Sequence, residues 1–141
     1  MTMKEVALIG KLIKERLKEI EHFGEYYEEE RSQLKAILSG GITELSVSDA
    51  DVVYGIIERK VEKCRKDLKK AKEQFNKFTH VCKNDVDTFG TECASGSIAN
   101  LEKRLGEVAT NIALLKGYSD DLESSTKDYE AYKKLLKIKF Y

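Results

Sequence analysis

The stretch SDADVVYGIIERKVEKCRKDLKKAKEQFNKFTHVCKNDVDTF, from Ser48 to Phe89, decides the fold. Its apolar residues recur as Val53, Ile57, Val61, Cys64, Leu68, Ala71, Phe75, Phe78 and Cys82. Steps of three and four put them on one stripe of an α-helix, close to the alternating spacing of a heptad seam. At a rise of 1.5 Å per residue such a helix is roughly 60 Å long, so it needs partners of similar span.

Upstream, Val6, Ile9, Ile13, Ile20, Phe23, Tyr27, Leu34 and Ile37 keep the same register, with Arg16 and Glu30 at the two seam positions that are not apolar. The pattern predicts a first helix over residues 3–38. Gly24 falls inside it and reads as a tolerated interior glycine, at a cost of about 1 kcal/mol relative to Ala. Ser39-Gly40-Gly41 ends that helix, and Ile42, Leu45 and Val47 are expected to fold over its end. Ser48 reads as the cap of a second helix over 49–86, with Asp49 and Asp51 in the first turn where the helix dipole favours acids. The turn formers Asn84, Asp85, Asp87 and Gly90 lead into a third helix over 97–139. Its seam runs through Ile98, Leu101, Leu105, Val108, Ile112 and Leu115, and passes Gly117 without changing phase.

Helices of matching length joined by short connections pack as neighbours. The expectation is therefore one all-α domain, residues 1–141: an elongated antiparallel three-helix bundle or coiled coil, running up, down and up. Folding at the first connection sets residue i of helix one near about 88 − i of helix two. The charges agree, since Glu19, Glu21, Glu25, Glu28, Glu29 and Glu30 would face a segment rich in Arg59, Lys60, Lys63, Arg65 and Lys66. Exposed pairs contribute only about 0–1 kcal/mol each, so their effect is on direction and register. The second fold pairs residue i with about 187 − i. All seven tyrosines then gather in the half holding the Gly40-Gly41 connection.

Composition narrows function. Lys and Arg together number 25, as do Asp and Glu, so no net charge draws the chain to a polyanion. The longest apolar run, Val6 to Ile9, is far short of a membrane span, and Lys4, Lys11 and Lys14 interrupt any secretory leader. A cytoplasmic setting is the expectation. His22 and His80 lie near no nucleophile, and Glu19-x-x-His22 lacks the second element of a metal site. Asp85-x-Asp87-x-x-Gly90 superficially resembles the start of a calcium loop, but Phe89 stands at the fifth position and Gly96 at the twelfth, where a bidentate Glu is required. No phosphate-binding glycine loop occurs. These readings predict no enzyme, no metal and no cofactor.

What remains is an adaptor, scaffold or export partner for another protein or for itself. Tyr26, Tyr27, Tyr54, Tyr129 and Tyr132 are the candidate contact residues, since Tyr offers a large surface at small entropic cost. One alternative is a basic stripe on helix two, Arg59, Lys63, Lys66 and Lys70, touching nucleic acid or a membrane surface. Interspersed Glu58, Glu62, Asp67 and Glu73 weigh against both partners. Another is a surface or secreted rod closed by a Cys82–Cys93 disulfide, formed if helix two unwinds early. The outline resembles spectrin-like repeats, without their signature Trp and with longer helices. In size it is similar to the small helical partners of secreted bacterial toxins, whose Trp-x-Gly turn is replaced here by Ser39-Gly40-Gly41.

Overall fold

A computed structural model of the chain describes residues 1–93 and 96–141. Among the described residues the protein is all-helical and contains no strand, as predicted. There are four α-helices where three were expected: α1 Met3–Ile20, α2 Glu28–Gly40, α3 Val47–Glu92 and α4 Ile98–Leu135.

The extra helix arises at Gly24. This residue adopts φ 28° and ψ −158°, a conformation open to glycine and costly to other residues, and the predicted helix over 3–38 reverses there. A single 3-10 turn, Glu25–Tyr27, leads into α2. Other ends follow familiar caps. Thr2 and Glu5 form a capping box at the start of α1, the Thr2 side chain accepting from the Glu5 amide. Ser46, not Ser48, caps α3, its hydroxyl accepting from the Asp49 amide at 3.2 Å. Of the three residues expected to fold over the bundle end, Ile42 and Leu45 are buried but Val47 is 57 % exposed. α4 passes Gly117 unbroken, as its seam predicted.

The chain divides into two compact units, one built from Met1–Cys64 with Asp128–Tyr141 and the other from Arg65–Lys127. In the first unit, Arg16 of α1 meets Glu30 of α2, and Gln33 of α2 donates to Asp49 of α3 at 2.8 Å. The chain therefore reverses twice within its first fifty residues, and α1 runs in the same direction as α3. This overturns the first register. Lys60 lies 3.5 Å from Glu15, a residue that the single-helix reading set beside Glu73. Gln33 meets Asp49 instead of Gly55. The core of this unit is apolar and drawn from every helix: Ile9, Ile13 and Ile20, then Leu34, Val53 and Ile57, with Leu135 and Phe140 arriving last. Each such side chain contributes about 1.5–3 kcal/mol when fully buried. The tail beyond α4 is fixed in place, with the Leu45 amide donating to the Phe140 carbonyl at 3.1 Å.

The second unit is a hairpin of α3 against α4. Phe78 packs on Tyr118 with ring centroids 4.9 Å apart, and the Cys82 thiol donates to the Asn111 carbonyl at 3.4 Å. Its buried apolar residues are few: Leu68, Ala71, Cys82 and Val108. Antiparallel pairing was predicted here, and the observed register is displaced, by about half a turn at Arg104 and about two and a half turns at Tyr118. Tyr118 was expected beside Lys69 and lies on Phe78. The displacement follows from α3, which continues to Glu92 instead of stopping near residue 86. Asp85, Asp87 and Gly90, the would-be calcium loop, are helical.

Candidate interaction surface

The reversal between α1 and α2 builds an exposed aromatic knuckle. At the end of α1 the Ile20 carbonyl accepts only a short-range bond from the Phe23 amide, at 3.2 Å, and carbonyls of a helix C-terminus have room for a further donor. Arg31, one turn into α2, reaches back to satisfy them. Its guanidinium donates to the Ile20 carbonyl at 2.8 Å, the Gly24 carbonyl at 2.8 Å and the Phe23 carbonyl at 3.4 Å. The cation thus sits at the negative end of the α1 dipole.

Held this way, the turn presents aromatic rings outward. Phe23 is 61 % exposed and Tyr26 is 89 % exposed. Both pack edge-on against Tyr27, at centroid distances of 6.0 Å and 4.9 Å. Tyr27 is half-buried, with the Arg16 guanidinium 5.6 Å from its ring centroid. Arg16 also makes a two-point contact with Glu30, at 2.8 and 3.2 Å, and reaches Glu19 at 3.3 Å. The hydrogen bond from Arg16 holds the Glu30 carboxyl below the ordinary carboxylate range, and burial opposes that shift only in part. Glu21, Glu25, Glu28 and Glu29 surround the rings and are exposed. A groove beside the knuckle is lined by Tyr26, Tyr27, Glu29 and Asp51, with Arg16 and Arg59 also on its wall. The knuckle is therefore aromatic with exposed glutamates at its rim, and it is backed by Arg31.

The tyrosines named from sequence separate under this geometry. Tyr132 is 6 % exposed, and Lys60 lies over its ring at 5.2 Å. Tyr54 packs on Phe140 and donates its hydroxyl to the Ile138 carbonyl. Tyr129 is half-buried beside Lys133. These three belong to the core or its border, which leaves Tyr26 as the exposed member of the five, with Tyr27 packed against it. Tyr118 lies in the second unit, which breaks the predicted gathering of all seven.

The basic stripe and the cysteines also change meaning. Arg59 acts electrostatically on Glu30, and Lys63 lines a groove with Glu15 and Glu19, so this end of the stripe faces acids of its own unit. Lys66 and Lys70 are exposed on the part of α3 in the second unit. Cys82 and Cys93 are both free, the first buried and the second exposed. The unwinding that would bring them together does not occur. The Cys93 amide still bonds to the Phe89 carbonyl at 2.9 Å, and the ten helical residues between the two cysteines set their backbones roughly 16 Å apart along the axis. His22 and His80 are exposed and belong to different units. Among the described residues no group of three or more His, Cys, Asp or Glu side chains is placed to hold a metal ion, and no helix is long and apolar enough to cross a membrane.

Sequence reasoning missed Arg31 and Arg104. Arg104 organises the hairpin, with nitrogens 3.1 Å from Asp85, 3.0 Å from Glu107 and 3.5 Å from Glu92. The last contact is too poorly aligned to be a hydrogen bond and leaves Nε without a partner. Asp85 accepts from Asn111 as well, and that bond, then Arg104, holds its carboxyl below the usual range. A usable signal was present for the first unit: the only two polar seam positions, Arg16 and Glu30, carry opposite charges and pair with each other. No protein-family model, curated protein or solved structure matches this chain.

Proposed function

We propose that the chain is a non-enzymatic protein-interaction module whose first unit presents Phe23 and Tyr26 to a basic segment of another protein. One observation carries this reading. Two large aromatic side chains stand exposed on a turn that is pinned from behind by three bonds from one arginine. A pinned turn loses little entropy on binding, and aromatic anchors dominate the energy of protein contacts. The surrounding carboxylates define the partner: a peptide or helix carrying Lys or Arg around an apolar anchor, steered by charge and seated by the rings.

The test uses an amphipathic peptide of alternating Leu and Lys clusters, followed by fluorescence anisotropy at low salt. Phe23→Ser with Tyr26→Ser is expected to weaken binding at least about tenfold, the scale of losing one interface hot spot. The thermal midpoint should fall only slightly, because both rings are largely exposed and lose only their edge contacts with Tyr27. Equal binding by both proteins, or none by the wild type, overturns the reading.

A further inference from the structure

We infer that the second unit pairs with a second copy of itself through an open edge of α4. This surface is separate from the aromatic knuckle and does not depend on it. Ile98, Leu105 and Ile112 recur every seven residues along α4 and are 77 %, 53 % and 49 % exposed. They are seam residues of the expected third helix, and within this unit they stay exposed. α3 takes the neighbouring edge of α4 instead, through Arg104, Val108, Asn111 and Tyr118. Heptad spacing of exposed Ile and Leu is the pattern that another helix fills, knob into hole.

The order of residues along this edge selects a second copy as the occupant. A closed two-fold interface needs one patch that complements itself when reversed. α4 has that property about the Val108–Ala109 bond. Antiparallel pairing there sets Leu105 beside Ile112 of the second copy, and Ile112 beside the second copy's Leu105. It also brings exposed Glu102 within a turn of Lys116 of the second copy, twice over by symmetry. Ala109 lies at the crossing, where its small side chain permits close approach of the two helices. Charge and size therefore match under one operation, which an unrelated helix would satisfy only by coincidence. The product is a four-helix arrangement of two α3–α4 hairpins, with Leu105 and Ile112 of both copies at its centre. The contact strip through these pairs is about 22 Å long and one helix wide. That is at the small end of specific interfaces, so the dimer is concentration-dependent.

Sedimentation velocity on the full chain over a concentration series tests the inference. The wild type is expected to shift from monomer to dimer. Leu105→Glu should raise the dissociation constant by about tenfold or more, with helix content by circular dichroism unchanged because the residue is already half exposed. Glu102→Lys should weaken the dimer and Glu102→Lys with Lys116→Glu should restore it, a rescue that a general loss of folding cannot produce. In a background with Cys64, Cys82 and Cys93 replaced by Ala, Ala109→Cys should form a disulfide-linked dimer on mild oxidation. A wild type that stays monomeric throughout, a dimer that survives Leu105→Glu, or failure of the charge swap to rescue overturns it.

Discussion

Replacing Gly24 by Ala gives opposite results for the two ways of reading the first forty residues. In an unbroken helix the substitution would stabilise by about 1 kcal/mol, the difference in helix propensity between Gly and Ala. In the observed hairpin, Ala must adopt φ 28°, a backbone state that costs non-glycine residues about 1–3 kcal/mol. No atom lies within 4 Å of the position an added Cβ would take, so the cost is backbone strain and not collision. The hairpin buries Ile9, Ile13, Ile20 and Leu34, worth about 1.5–3 kcal/mol each, so it survives as the ground state. The expected outcome is a loss of about 1–3 kcal/mol in unfolding free energy by urea titration. Paired spin labels at Lys4 and Ser39 supply a second reading, since those sites would be about 52 Å apart in one straight helix. The wild type should show a distance well short of that, and Gly24→Ala with Arg31→Ala should add a longer component. A more stable Gly24→Ala protein, or a wild-type label distance near the straight-helix value, refutes the reasoning.

Three further outcomes can be checked with the same preparations. Tyr132→Ala should cost about 3 kcal/mol, as for a large buried aromatic ring, whereas Tyr26→Ala should stay within about 0.5 kcal/mol in the same urea titration. Glu30 has a folded-state pKa below its ordinary 4.5, so its contribution is fully present above that value and is lost as pH falls through the lower, folded one. Glu30→Gln should therefore flatten the acid limb of stability against pH, measured by thermal melting. Cys93 should react with a thiol reagent at the rate of a free peptide, while Cys64 and Cys82 wait for opening of the structure.

Most of the helical content was legible, because sustained three-and-four spacing has no other economical explanation. α4 was placed within one residue at its start, and α3 was extended at both ends. The reversal at Gly24 was not legible from periodicity. Two helices folded back on each other present the same apolar stripe as one straight helix, and the phase from Val6 to Ile37 does not change across the break. Glycine was the only local signal, and glycine within helices is common enough to be discounted. Arg31 could not be found by spacing either, since its partners are carbonyls that exist only once the break is made. Charge counting misled for a related reason. The glutamates matched the lysines of α3 in number, but direction is set by which apolar residues meet, and exposed charges adjust to the outcome. The tyrosines show the same limit: their grouping by half was nearly right, but exposure within that half depended on the tail, which brings Phe140 onto Tyr54.

The first unit is split in sequence, with its final contribution beginning at Asp128. During synthesis, Ile9, Leu34 and Ile57 therefore emerge well before Leu135 and Phe140, the residues that complete their shared interior. At about 5–20 residues per second, the intervening 63 positions from Arg65 to Lys127 delay completion by several seconds. In the folded hairpin Asp67 and Lys70 line a groove with Asp121 and Ser124, so its two arms are both synthesised by the time Asp128 appears. Closure shortens the effective loop that the nascent chain must tie before its late residues can dock. The better-filled half of the protein can therefore be completed only after every residue of the sparsely packed hairpin has been synthesised.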